Sequence, residues 1–106
     1  MSSTPVERPL TIGGFQRRIE AIFGARDAAR SRERNLLWFH EEVGELSRAM
    51  IRRAPDGGAN LREEFADVLA WLASLASLEG ISLEDAVTAK YANGCPKCKE
   101  TPCACA

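Results

Sequence analysis

Apolar residues recur along this chain at intervals of three and four, and nowhere do they alternate with a period of two, so helices are expected and strands are not. Ile12, Phe15, Ile19, Ile22 and Phe23 set the pattern first and predict a helix from Thr11 to Ala29, weakened toward its ends by Gly13, Gly14 and Gly24. Ser31 is placed to cap a second helix running to Arg53, with Arg34 where a capping box would carry Glu. Its expected buried stripe is Leu36, Phe39, Val43, Leu46 and Met50. The run Ala54-Pro55-Asp56-Gly57-Gly58 breaks the pattern. Asn60 then opens a third helix with the stripe Leu61, Phe65, Val68, Leu72 and Leu75, and Gly80 ends it. Ser82 caps a short fourth helix with Asp85 at the capping-box position, and Asn93-Gly94 stops it. Short connections make neighbouring helices antiparallel, so the expected fold is all-α, a four-helix bundle. Residues 1–9 read as a loose arm, 10–93 as the helical domain and 94–106 as a cysteine-rich tail.

Length and charge narrow the possibilities. A chain of 106 residues has room for one domain, and a bundle this thin leaves apolar surface uncovered, so pairing with further copies is expected. Fourteen Lys and Arg against fifteen Asp and Glu leave no excess of cations to displace counterions, which speaks against wrapping nucleic acid. No apolar run approaches the length of a membrane span and no signal-peptide pattern opens the chain, so a cytoplasmic protein is expected.

The acids are unevenly placed. Six of the fifteen fall in two clusters, Glu41-Glu42-x-x-Glu45 and Glu63-Glu64-x-x-Asp67. On the second helix Trp38, Glu42, Glu45 and Ala49 share one strip; on the third, Asn60, Glu64, Asp67 and Trp71 share another. Like charges at these spacings repel. If the two helices fold back antiparallel with Glu45 level with Glu64, then Glu42 lies level with Asp67 and four carboxylates converge on one seam. A hard divalent cation is the natural occupant, magnesium best of all because it shares carboxylates with substrate phosphates, with manganese as its substitute. The same register sets Trp38 beside Trp71, where a base could stack on either ring or between them. The alternative is a solvated acidic face in which Glu45 pairs with Arg48 and Glu63 with a nearby Arg. The tryptophans have their own alternative as ordinary core or interface residues. His40, the one histidine, reads as a buried, hydrogen-bonded ring. No nucleophilic triad and no glycine-rich phosphate loop is evident.

The stretch Arg34-Asn35-Leu36, then Glu41-Glu42-Val43-Gly44-Glu45-Leu46, then Glu63-Glu64-Phe65-Ala66-Asp67-Val68-Leu69 resembles the MazG-type all-α nucleoside triphosphate pyrophosphohydrolases, and within them the branch that includes dCTP pyrophosphatase. The resemblance covers residues 10 to 93. It implies magnesium-dependent cleavage between the α and β phosphates, giving a monophosphate and pyrophosphate, in a dimer or tetramer that cleans the nucleotide pool. By position it implies Glu42, Glu45, Glu64 and Asp67 as metal ligands, with Glu41 binding a second ion or orienting the attacking water. Trp38 and Trp71 match a base-contacting pocket. Lys90 and Asn93 lie where the family has a Lys and an Asn on phosphate and sugar, although they stand three apart where many relatives have four. A phosphoribosyl-ATP pyrophosphohydrolase shares the family, but the paired tryptophans favour the dCTP-like branch.

Beyond the family core lies Cys95-Pro96-Lys97-Cys98, followed by Cys103-Ala104-Cys105. Four cysteines so close point to structural zinc, to a reduced and unstructured tail, or to disulfides. Two functions of different class follow: a triphosphate pyrophosphohydrolase, or a non-catalytic helical dimer that presents a zinc-binding tail to a protein or nucleic acid.

Overall fold

Three of the helices begin where a hydroxyl oxygen can accept a hydrogen bond from an otherwise free amide. In the computed structural model, which describes residues 8–52 and 59–106, Thr11 Oγ1 accepts from Gly14 N at 2.9 Å and opens α1, Ile12–Ala28. Ser31 Oγ accepts from Arg34 N at 3.1 Å ahead of α2, Arg32–Arg52. Ser82 Oγ accepts from Asp85 N at 3.1 Å and opens α4, Leu83–Tyr91. Between them runs α3, Ala59–Leu78. No strand occurs among the described residues, as the three-to-four periodicity predicts. The helix bounds fall within about two residues of those expected from the pattern. The break expected at residues 54–58 and most of the N-terminal arm lie outside the described residues.

α3 is the central element, with α1 packed on one side and α2 on the other, while α4 packs on α1. The end of α3 is built to turn sharply. Gly80 takes φ +71°, and the pair Ile81 N to Ala76 O at 2.8 Å and Gly80 N to Ser77 O at 3.0 Å closes a Schellman cap. The chain bends by 98° between α3 and α4. α1 holds that bend: the buried Gln16 donates to Ile81 O at 2.8 Å and Ser77 Oγ at 3.1 Å, and accepts from Leu83 N at 2.8 Å. Glu84 accepts from Gly13 N at 2.9 Å, placing a carboxylate on the free amides of α1. α4 thus lies across the other helices instead of running alongside them.

The inward faces differ from the expected stripes. On α2 the buried or half-buried residues are Asn35, Trp38, Phe39, Glu42, Val43, Leu46 and Ala49, leaving Leu36 at 38% and Met50 at 51% exposure. On α3, Glu64 and Trp71 face α2, the side the antiparallel register gives them, while Phe65 and Leu72, expected in the core, join Leu69 on an exposed face. α1 deviates in the same way, with Ile19 buried but Ile12, Ile22 and Phe23 exposed. The seam between α2 and α3 is wide enough to admit carboxylates and indoles, so each helix is rotated toward its polar strip and its apolar stripe is left half uncovered. Among the described residues only Ile19, Ala73 and Ala76 are buried apolar side chains.

Candidate functional site

The seam places acids opposite one another. Glu42 of α2 and Glu64 and Asp67 of α3 each bring a carboxylate oxygen to within 4.8 Å of the others. Oε2 of Glu42 and Oε2 of Glu64 are buried with no hydrogen-bond partner among the described residues. An orphaned buried oxygen is costly, and more so on a carboxylate. The strain shows in the acidity. Burial first, then the charges of Glu45 and Asp67, a hydrogen bond shared with Glu45, and the charge of Glu64 push Glu42 up to about 6. Burial and the charges of Glu45, Asp67 and Glu63 raise Glu64 as well.

Glu45 is exposed and stands outside the closest group of three, but near enough for its charge to bear on both Glu42 and Glu64. Glu41 is exposed on the turn beside Glu42. The ion pairs among the described residues are Arg30 with Asp27, and Arg32 with Glu79 at 3.1 Å, so the anticipated alternative of Glu45 paired with Arg48 does not form. Three hard oxygen donors, two of them orphaned and none neutralised by an ion pair, fit a divalent cation such as magnesium.

One helical turn from these acids, Trp38 and Trp71 meet edge to face, with centroids 6.0 Å apart and planes at 89°. This register was expected, but a base stacked between the two rings was not compatible with it: perpendicular rings in contact leave no parallel slot. Instead Arg30 lies over both, its guanidinium 4.7 Å from the Trp38 centroid and 5.6 Å from that of Trp71. Arg30 is held by an ion pair to the buried Asp27 and by donation from Nε to Asn35 Oδ1 at 2.9 Å. Asn35 in turn donates to Asp27 O at 2.9 Å, so one buried amide ties the end of α1 to the start of α2. Phe23, Arg26, Asp27, Arg30, Trp38, Ala70, Trp71 and Ser74 line a cavity of about 360 Å³. Sequence reasoning missed Arg30. The available signal was a polar trio, Asp27, Arg30 and Asn35, at the junction of two otherwise apolar stripes.

Other anticipated residues lie elsewhere. Lys90 and Asn93 are exposed at the far end of α4, and Lys90 Nζ sits 5.7 Å from the Tyr91 ring centroid. The 98° bend keeps them at the C-terminal end of α3, away from Glu64 and Asp67 near its start. His40 is exposed, not buried; its Nδ1 lies 2.9 Å from Leu36 O, one turn back on the same helix, and its ring meets Phe39 edge-on.

A second group of ligand atoms sits in the tail. The sulfurs of Cys95, Cys98, Cys103 and Cys105 all lie within 4.8 Å of one another. Hydrogen bonds from the backbone of Cys98 and Lys97, then from the Cys103 thiol, bring Cys95 down to about 6. Backbone hydrogen bonds from Ala104 and Glu100 lower Cys98, while Cys105, bonded to the Cys103, Cys95 and Cys98 side chains, is pushed up to about 11.

No curated protein is similar enough to the chain to count as a match. A profile of the MazG nucleotide pyrophosphohydrolase domain does match, over residues 30–99. That stretch takes in Arg30, the acidic seam, both tryptophans and α4, and leaves out α1, Cys103 and Cys105. With about two-thirds of its length matched, the chain belongs to the MazG nucleotide pyrophosphohydrolase family.

Proposed function

We propose that the protein is a magnesium-dependent hydrolase that cleaves nucleoside triphosphates to the monophosphate and pyrophosphate, with deoxycytidine-type nucleotides as the first substrates to try. The observation that carries this reading is the pair of buried carboxylate oxygens, on Glu42 and Glu64, that find no hydrogen-bond partner among the described residues. A purely structural helix pair gains nothing from such groups, which counts against a non-catalytic dimer.

Glu42, Glu64 and Asp67 hold the cation, with Glu45 completing the set from its exposed position. Magnesium, when bound, supplies positive charge that the triphosphate's oxygens need near four acids. Glu41 lies beside this group on α2 and takes the proton of the attacking water. The cavity next to the seam has the size of a small-ligand site, and Trp38, Trp71 and Arg30 offer ring faces and a fixed cation to a nucleoside. Arg30 is pinned by Asp27 and Asn35, so its guanidinium is ordered before substrate arrives.

The exposed face of Phe65, Leu69 and Leu72 is covered by a second copy of the chain, in a dimer or tetramer. Lys90 and Asn93 touch a triphosphate only across such a subunit boundary.

The test is a panel of ribo- and deoxynucleoside triphosphates incubated with magnesium, with pyrophosphate and monophosphate resolved from orthophosphate and diphosphate. Release of pyrophosphate that disappears in Glu42→Gln is the expected result. Orthophosphate as the first product, or no turnover on any nucleotide, overturns the reading.

A further inference from the structure

The segment after α4 has no core. No residue from 92 to 106 is buried, yet four sulfurs from opposite ends of it converge. Chain entropy opposes such convergence, and a short exposed segment has no apolar burial to offset it.

The backbone is shaped for it all the same. Lys99 N donates to Cys95 O at 2.7 Å and Cys95 N donates to Glu100 O at 3.0 Å, which folds the Cys95–Cys98 stretch into a tight knuckle. Gly94 enters that knuckle at φ +96°, and a Cβ there would meet Thr101 Oγ1 at 2.7 Å and Glu100 O at 2.9 Å, so a side chain is excluded twice over. Lys99 adopts φ 63°, unusual for a residue with a Cβ. Backbone amides point at the sulfurs, among them Ala104 N at 3.3 Å from Cys98 Sγ and Cys105 N at 3.4 Å from Cys103 Sγ.

The sulfur spacing fits a tetrahedral ion and not a disulfide. Cys95 Sγ lies 3.7 Å from Cys105 Sγ and 3.6 Å from Cys103 Sγ. Four sulfurs at a zinc–sulfur distance of about 2.3 Å in a tetrahedron stand about 3.8 Å apart, whereas a disulfide needs about 2.05 Å. All four thiols are free. An all-sulfur tetrahedral set suits a soft or borderline ion and excludes magnesium.

We propose that Cys95, Cys98, Cys103 and Cys105 form a closed structural zinc site that holds the tail in a fixed turn behind α4. Binding forms four zinc–sulfur bonds, the protons still on the thiols leave to solvent, and nothing is oxidised or reduced. The resulting doubly negative centre has Lys97 and Lys99 beside it in the chain. No fifth position is open, so the ion takes no part in hydrolysis; it supplies the folding energy that a coreless segment lacks. The site stands apart from the hydrolase reading, since none of its ligands belongs to the acidic seam.

The experiment uses the full chain purified without added metal and desalted. Elemental analysis is expected to give one zinc per chain. Exchange for cobalt is expected to give the intense d–d bands and thiolate charge-transfer band of a tetrahedral sulfur site. Cys98→Ser and Cys105→Ser should each lower zinc content at least about tenfold and abolish amide protection over residues 94–106, with helical circular dichroism unchanged. Glu42→Gln should keep its zinc, which separates this proposal from the catalytic one. A metal-free tail with four freely titrating thiols, two disulfides, or stoichiometric iron in place of zinc each overturns it.

Discussion

Two groups of donor atoms close enough to share a metal ion stand in this molecule, and they are assembled in opposite ways. Cys95, Cys98, Cys103 and Cys105 lie within one short stretch of chain, and a local turn brings their sulfurs together. Glu42 comes from α2 and Glu64 and Asp67 from α3, so their oxygens meet only if two helices pack at the right register and rotation. The thiols are soft donors in a complete set of four; the carboxylates are hard donors in an incomplete set of three with exposed neighbours. Burial and neighbouring charges hold the proton on Glu42, whereas hydrogen bonds with the other thiols hold it on Cys105. A closed soft set made locally suits structure, whereas an open hard set made by packing suits a substrate that brings its own oxygens.

The strongest way to break this comparison is to remove one carboxylate. Glu42→Gln or Asp67→Asn is expected to cost about 4 kcal/mol of transition-state stabilisation, a loss of about a thousandfold in turnover, with helix content and tail zinc intact. Steady-state pyrophosphate release and elemental analysis on the same preparation check both halves. Removing metal gently should divide the groups again. Dialysis against magnesium-free buffer is expected to abolish turnover reversibly while the thiol-bound ion stays.

A smaller effect tests the dependence on packing. Asn35→Ala removes the acceptor of Arg30 Nε and one of the donors to Asp27 O at the α1–α2 junction. We expect it to destabilise the helical domain by about 1–3 kcal/mol, read by denaturant unfolding, and to leave amide protection in the tail unaltered.

The smallest effect is the pH dependence of the seam without metal. Glu42 is raised from an ordinary 4.5 to about 6 in the folded chain. As pH climbs through 4.5 the unfolded chain loses this proton while the folded chain keeps it, so its contribution to stability declines until about pH 6. Metal-free wild type should therefore lose thermal stability across that window relative to Glu42→Gln. Magnesium at pH 7 should restore it, because a cation then does what the proton did.

Much was legible before any coordinates. Ser31 and Ser82 cap their helices as their positions imply, because a cap is a contact over three residues, and Thr11, read as the first helical residue, caps α1 in the same way. The cysteine group was visible for the same reason, as was the pairing of Trp38 with Trp71, which follows from helical period once α2 and α3 are antiparallel. The stripes were less well read. Leu36, Met50, Phe65 and Leu72 look like core by spacing and are exposed, since spacing reports which residues share a face and not how far that face is rotated from its neighbour.

The helices, their ends, the acid clusters and the closeness of the four cysteines were determined by sequence alone, because backbone hydrogen bonding, capping and chain spacing act over a few residues. Tertiary structure alone decided that Phe65 and Leu72 are left exposed, that Arg30 covers both indoles, and that α4 crosses α3 at 98°. These outcomes depend on the rotation of one helix against another and on single buried amides such as Gln16 and Asn35. Several rotations preserve the same apolar period, and only the packed chain selects among them.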